Sequence, residues 1–139
     1  MKRAAVATAI VLLLLVAAIL GRGWMVGTPR RSYGENVRAP EGTRIRVEVL
    51  NATRVRGLAR RATMHLRDRG FDVVGMGTTQ PQQDSTVVLD RSNHPEWARL
   101  VARALGATRV ESRPDTSRYL DVTVLLGGAW RPPPEPFYP

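Results

Sequence analysis

The chain of 139 residues contains no cysteine. This absence excludes a disulfide framework, a thiolate metal site, a cysteine nucleophile and the lipidation of an N-terminal cysteine. Lysine is nearly absent too, because Lys2 is the one lysine and the other twenty basic residues are arginines. The net charge of +9 favours nucleic acid or another anion as a partner. An arginine bias is equally typical of a GC-rich genome, so the charge by itself identifies no ligand.

One long apolar run occurs, at the N-terminus. Ala4–Leu20 contains a single polar residue, Thr8, and follows Lys2 and Arg3. As a helix the run spans about 26 Å, against a bilayer core of about 30 Å. We therefore expect residues 1–26 to form a cytoplasmic tip and a single transmembrane anchor in the bacterial inner membrane, with the rest of the chain outside the cytoplasm. A cleaved signal peptide is the alternative. The charge rule for orientation gives little preference, because the arginines after the run nearly equal the positive charges before it.

Two segments without an apolar period flank the expected domain. Residues 27–42 contain Pro29 and Pro40 among polar residues and glycines, which is typical of a linker. Residues 129–139 contain five prolines, which is typical of a polyproline II or disordered tail. The folded domain is therefore expected over residues 43–128.

Strand and helix patterns alternate across this domain. Short apolar segments predict strands over residues 44–50, 71–76, 85–89, 108–111 and 121–126. Thr53 is the expected N-cap of a first helix over residues 54–69, and Gly70 is expected to end it. Its predicted buried stripe comprises Val55, Leu58, Ala59, Ala62 and Leu66. A second helix is expected between an Asn93 N-cap and Gly106, with Pro95 in its first turn and Glu96 closing a capping box.

The element order β-α-β-β-α-β-β predicts an α/β (α+β) fold, a two-layer sandwich with a mixed sheet and both helices on one face. Because β-α-β crossovers are right-handed, the first strand, first helix and second strand should form a parallel unit. The chain shows no repeat at a fixed period, so a solenoid or propeller is not expected.

The turn between the first strand and the first helix is the main candidate binding site. The helix N-terminus is expected to leave the N–H groups of residues 55–58 unpaired, and two guanidinium groups beside them suit a phosphate or carboxylate. The candidate anion-binding residues are Asn51, Thr53, Arg54, Arg56 and Gly57. The alternative is structural: Asn51 and Thr53 shape a turn and cap, while Gly57 lets helix and sheet approach.

Catalysis is not expected, and neither is a metal or cofactor site. Ser92, His94 and Asp90 contain the groups of a hydrolytic triad. However, the three residues fall in one loop and helix cap, and no nucleophile elbow accompanies them. His65 is expected at an exposed or boundary position on the first helix.

The motifs of this chain resemble the LytR C-terminal domain family. Its pattern V-x-V-L-N-G-T-G-V-x-G-L-A is matched by Val47–Ala59, and its L-x-x-x-G-F-x-V turn by Leu66–Val73. Similar segments are Thr86–Val88, Ala102–Gly106 and Asp121–Gly127, so the resemblance covers Ile45–Gly127. Ala52 and Arg54 stand where the family has glycines, which makes the first turn stiffer and more basic.

The resemblance implies a place in the bacterial cell envelope and contact with a glycan or a protein. This domain often follows a LytR-CpsA-Psr phosphotransferase domain, which attaches anionic glycopolymers to the wall; only the anchor and linker precede it here, so no catalytic residues carry over. We therefore expect a membrane-anchored, extracytoplasmic binding module that contacts peptidoglycan, anionic glycopolymer or a partner protein. The alternative is a cytoplasm-facing nucleic-acid-binding regulator, favoured by the charge and by the family's historical label of transcriptional attenuator. No helix-turn-helix, aromatic RNA-binding strand or zinc motif supports that alternative.

Overall fold

The structure, a computed structural model, describes residues 36–133. The expected transmembrane helix lies outside these residues, as do much of the expected linker and the end of the Pro-rich tail. Within residues 36–133, no helix has both the length and the apolar character that crossing a bilayer requires. In chain order the elements are β1 (Arg46–Asn51), α1 (Leu58–Arg67), β2 (Asp72–Thr78), β3 (Val87–Asp90), α2 (Pro95–Leu105), β4 (Arg109–Ser112) and β5 (Val122–Leu126). This is the succession of strands and helices that the sequence predicts.

The five strands form one mixed sheet in the order β2-β1-β5-β3-β4. β1 runs parallel to both β2 and β5, so the predicted parallel β1-α1-β2 unit is confirmed. β3 runs parallel to β4 and antiparallel to β5. The order across the sheet differs from the order along the chain, because the last strand, β5, lies between β1 and β3. The position of β5 depends on pairing between segments that are distant in the chain. The periodicity of the sequence reports only local structure and does not predict that position.

Both helices pack on the same face of the sheet. The inward side chains of the two central strands are fully buried there, namely Val47, Val49, Val122 and Val124. Burial of one such side chain contributes about 1.5–3 kcal/mol. The helices also contact each other, because the Nε2 atom of His65 on α1 lies 2.8 Å from the carbonyl oxygen of Ala104 on α2. His65 is therefore buried, and the expected exposed or boundary position is wrong.

The first helix begins later than predicted. It starts at Leu58, after Gly57 in a left-handed conformation with φ of 78°. Val55 lies outside the helix and is 54% exposed, so its predicted place in the buried stripe is wrong. Thr53 does not cap α1 either, because the turn that it forms with Asn51 precedes the helix. Gly70 is left-handed near the C-terminal end, and the N–H of Phe71 donates to the carbonyl of Leu66. The helix itself ends at Arg67, two residues earlier than predicted.

The second helix also lacks the predicted cap. Pro95 lies in its first turn and a left-handed Gly106 ends it, as expected. Asn93, however, has a φ of 59°, and no side chain caps the helix. Asp90, the last residue of β3, binds the backbone before α2 instead. Its Oδ1 atom accepts hydrogen bonds from the N–H groups of Ser92 and His94 at 3.1 Å each.

The packed part of the chain extends past the expected limits of residues 43–128. On the N-terminal side, Val37 and Ala39 pack against the core, and the N–H of Ala39 donates to the carbonyl of Arg69. On the C-terminal side, Trp130 is buried and its Nε1 atom donates to the carbonyl of Leu105 at 3.1 Å. The start of the expected Pro-rich tail therefore belongs to the hydrophobic core.

Candidate functional site

The β1–α1 turn, defined as Asn51–Gly57, is held together by two polar side chains. The Oδ1 atom of Asn51 accepts hydrogen bonds from the backbone N–H and the hydroxyl of Thr53, at 3.0 and 2.7 Å. The Nδ2 atom of Asn51 donates to the carbonyl of Val55 at 2.8 Å, and the hydroxyl oxygen of Thr53 accepts the N–H of Val55 at 3.0 Å. These bonds occupy both side chains. Asn51 and Thr53 therefore shape the turn, as in the structural interpretation of the sequence.

Neighbouring strands fix the base of this turn. The N–H of Ala52 donates to the carbonyl of Leu126 at the end of β5, and the N–H of Thr79 donates to the carbonyl of Asn51. The N–H of Gln83 donates to the carbonyl of Ala52 at 2.9 Å. The turn thus lies where the carboxyl ends of the parallel strands β2, β1 and β5 meet. Ligands commonly bind at this end of parallel strands in α/β sheets.

Arg54, Arg56 and Gly57 lie together on the exposed side of the turn. Neither arginine makes a hydrogen bond or an ion pair with another residue in the described part of the chain. A Cβ atom on Gly57 would meet nothing within 4 Å. The glycine is therefore required by its positive φ, which costs other residues energy, and not by lack of space.

The helix N-terminus is displaced from its predicted position. The N–H of Val55 is already bound to Thr53, and the first intrahelical bond runs from the N–H of Arg61 to the carbonyl of Gly57 at 3.1 Å. The N–H groups outside intrahelical bonds are therefore those of residues 58–60, three positions later than predicted. No acidic residue lies in the first turn of α1, so the positive end of the helix dipole adds to the arginines there.

Ser92, His94 and Asp90 do not form a hydrolytic triad. The Nδ1 atom of His94 contacts the backbone carbonyl of Ser92 at 2.9 Å, and the hydroxyl of Ser92 is directed to the carbonyl of Asp121. Asp90 accepts backbone N–H groups and does not orient the imidazole. The three residues build the turn before α2. Within residues 36–133, no three His, Cys, Asp or Glu side chains are grouped as metal ligands.

Sequence reasoning overlooked the ion pair between Arg46 and Asp121. The buried carboxylate of Asp121 accepts the backbone N–H, the Nε and the Nη2 of Arg46 at 2.8, 3.0 and 3.1 Å. Burial alone would raise the pKa of Asp121, but the bonds from Arg46 outweigh burial and lower it. The pair joins the starts of β1 and β5, at the opposite end of these strands from the β1–α1 turn. The pair therefore links the two neighbouring strands at that end.

A second candidate site is a cavity of about 380 Å³ beside β3 and β4. Its lining includes Val87, Leu89, Leu125, Arg109, Glu111 and Arg113. Arg109 and Arg113 share the one carboxylate of Glu111, at 2.8 and 3.2 Å, which neutralises part of their positive charge. The two arginines of the β1–α1 turn have no such partner among the described residues. The turn is therefore the stronger candidate for an anion.

Comparison with known families agrees with the motifs. Residues 44–130 match the family described as "LytR cell envelope-related transcriptional attenuator". The chain belongs to the LytR C-terminal domain family. The match confirms the resemblance that the sequence shows, and it covers all seven described strands and helices.

Two solved structures are similar to this LytR C-terminal domain. The solution structure of the C-terminal domain of RV0431 is 31% identical, with 65% of this chain and 77% of that chain covered and a TM-score of 0.44. The crystal structure of the soluble domain of a conserved hypothetical secreted protein from Mycobacterium marinum, an Rv2700 ortholog, is 21% identical. That comparison covers 73% of this chain and 70% of the other, with a TM-score of 0.48. No curated protein matches the sequence.

The structure also explains the first family motif. In the segment Val49–Gly57, the asparagine and the threonine are the two residues that close the turn, and the last glycine adopts the left-handed conformation before α1. Ala52 is fully buried beneath the turn, whereas Arg54 projects from its surface. The departure from the family pattern at Arg54 therefore adds charge without adding bulk to the core.

Proposed function

We propose that this protein is a membrane-anchored, extracytoplasmic accessory module of the bacterial cell envelope that acts by binding and not by catalysis. Its proposed ligand is an anionic wall polymer, and the proposed contact site is the β1–α1 turn. One observation carries this proposal: Arg54 and Arg56 are exposed without a partner among the described residues, on a turn that internal hydrogen bonds hold rigid.

The chemistry of the turn supports an anionic ligand. Guanidinium groups bind phosphate and carboxylate through paired hydrogen bonds. A rigid turn reduces the conformational entropy that binding costs, because Asn51 and Thr53 already fix the backbone between the two arginines. In this proposal Arg54 and Arg56 contact the ligand, Gly57 permits the turn, and Asn51 and Thr53 hold it in shape.

The family supports the location. Its description relates it to the cell envelope. The apolar run Ala4–Leu20 after Lys2 and Arg3 supports an anchor with the domain outside the cytoplasm. An envelope protein partner is compatible with the same location.

A cytoplasm-facing nucleic-acid-binding regulator is the second candidate. The net charge of +9 and the term "transcriptional attenuator" in the family description favour it. The described helices argue against a helix-turn-helix, because β2 and β3 lie between α1 and α2 in the chain. We therefore favour the envelope module.

The test is a comparison of two double variants of the full chain in detergent. Arg54→Ala with Arg56→Ala should weaken binding to purified anionic wall polymer severalfold and reduce its salt dependence, because two of the contacting charges are lost. Arg99→Ala with Arg103→Ala removes the same charge from the exposed side of α2 and should bind like the wild type. Both variants should unfold within about 0.5 kcal/mol of the wild type, as surface changes do.

Two results would contradict the proposal. Equal losses in the two variants would mean that the polymer responds to net charge and not to the turn. An absence of polymer binding by the wild type would reject this class of ligand.

A further inference from the structure

The two edges of the sheet are built differently. β4, at one edge, has only four residues and is protected by charge, because Arg109 pairs with Glu111 at 2.8 Å. Arg113 binds the same carboxylate, and Pro114 follows at once. Short length, charged side chains and proline are the features by which natural edge strands avoid pairing with another chain. The β4 edge is therefore closed to a further strand.

The opposite edge, formed by β2, is longer, has no proline within the strand and is uncharged beyond its first residue, and its one irregularity lies at Val74. β2 is seven residues long and carries one charge, Asp72, at its beginning. Val74 and Met76 are 49% and 56% exposed, and they are the large apolar side chains of the described strands that remain exposed to this degree. Gly75 and Gly77 lie between and after them without side chains that would obstruct a neighbour.

The backbone of β2 presents unused hydrogen-bonding positions. After an irregularity near Val74, Gly75–Thr78 pair in regular register with Glu48–Asn51. The N–H of Thr79 donates to β1. Because successive residues of a strand alternate in direction, the N–H and C=O groups of Met76 and Thr78 are directed away from β1. An added strand requires donors and acceptors in this arrangement.

Positive charge borders this edge. α1 packs over β1 and β2 and contains no acidic residue within its bounds. Arg67 lies at the strand itself, since its Nη2 atom donates to the carbonyl of Val73 at 2.8 Å. An incoming strand with carboxylate side chains is therefore electrostatically complementary to the edge, and a basic one is not.

A second copy of this chain fits the edge poorly. Pairing two β2 strands would bring two arginine-bearing α1 helices towards each other. The regular part of the edge has few residues, and stable interfaces between folded proteins bury at least about 1,000 Å². A flexible segment needs less area, because main-chain hydrogen bonds supply much of the affinity in strand addition.

We propose that the β2 edge, defined as Val74–Thr78, binds an extended acidic segment of a partner protein, which joins the sheet as a sixth strand. This partner is additional to the wall polymer proposed for the β1–α1 turn. Since Thr79 binds Asn51, the two surfaces adjoin, and the experiment has to separate them.

The test uses the isotope-labelled full chain in detergent micelles and a blocked seven-residue peptide of alternating glutamate and valine. We expect backbone amide shifts confined to Val74–Thr78 and their neighbours on β1. The corresponding lysine–valine peptide should bind at least tenfold more weakly. Met76→Pro removes one outward N–H and should reduce binding at least tenfold, whereas proline at an edge position leaves the β1 pairing intact.

Matched variants separate the contributions. Met76→Ala keeps the N–H and should lose only part of the affinity. Met64→Ala changes a methionine that is equally exposed, at 56%, but lies on α1, and it should bind as the wild type does. If Met76→Pro does not fold, the Met76→Ala and Met64→Ala pair together with the shift map decides the question.

Three outcomes would overturn the proposal. Shifts confined to Arg54–Gly57, with binding lost in the Arg54 and Arg56 double variant, would place the acidic peptide at the turn. Equal binding of the acidic and basic peptides would remove the charge preference. Concentration-dependent shifts of the β2 edge without peptide would show that a second copy occupies it.

Discussion

Single polar side chains connect the layers of this domain, and His65 is the histidine among them. Its imidazole is buried between the helices, where the Nε2 atom must carry the proton in order to donate to the carbonyl of Ala104. Burial lowers the pKa of His65, although the bond to Ala104 and the charge of Asp68 act in the opposite direction. The folded protein thus favours the neutral form.

This lowered pKa predicts a loss of stability in acid. Below the ordinary histidine pKa of about 6.5, the unfolded chain takes up a proton that folded His65 resists. Stability is therefore complete above that value and falls as the pH decreases through the pKa of the folded state. Denaturant unfolding at pH 7.5 and 5.5 measures the effect. His65→Gln, which keeps a donor for Ala104, should show a smaller difference between the two pH values.

The other histidine supplies the control. His94 is exposed and stacks on Trp97 with ring centroids 4.0 Å apart. Because His94→Gln leaves His65 in place, it should retain the pH dependence of the wild type. If His65→Gln retains that dependence as well, another group causes it.

Residue types alone predict these polar roles incompletely. Asn51, Thr53 and Asn93 are all good cap residues, and the sequence placed Thr53 and Asn93 at helix starts. In the structure Thr53 bonds within a turn, and Asp90 binds the N–H groups before α2. Several side chains near a helix start are suitable caps, and the backbone angles decide which of them caps the helix. The φ of 59° at Asn93 is such an angle, and the periodicity of the sequence does not predict it.

At the scale of elements, the start of α1 determines which residues form the core. Leu58 and Val124 are buried, whereas Val55 is exposed before the helix begins. Leu58→Ala should lower the free energy of unfolding by about 2–4 kcal/mol, and Val124→Ala somewhat less, because each leaves a cavity. Val55→Ala should change it by less than about 0.5 kcal/mol. Chemical denaturation of the three variants tests the assignment, and a Val55 variant as destabilised as the Leu58 variant would restore the longer helix.

The sequence predicts elements better than it predicts their neighbours. Alternation in Val47–Val49 and Val122–Val124 locates two strands, and Gly70 and Gly106 locate two helix ends. The insertion of β5 between β1 and β3 is a long-range pairing without a local signal. For the candidate site, motif and charge identify the β1–α1 turn, but the later helix start moves the open N–H groups to residues 58–60.

At the scale of the whole molecule, the core includes residues from both expected flanking segments. Val37 and Ala39 pack at one side and Trp130 at the other. The composition of residues 27–42 and 129–139 does not predict this burial. One tryptophan among prolines barely changes the average hydrophobicity of a segment. A fragment intended to fold should therefore include residues 36–133.

The central claim is that this domain faces the outside of the cytoplasmic membrane, and a topology reporter tests it most directly. A reporter that is active only in the periplasm is fused after Pro139. The fusion should be active and should resist carbonate extraction if Ala4–Leu20 anchors the chain with Lys2 and Arg3 inside, as we propose. The same fusion without residues 1–26 should be inactive. Activity only from a reporter that requires the cytoplasm would contradict the account and would favour the nucleic-acid-binding alternative.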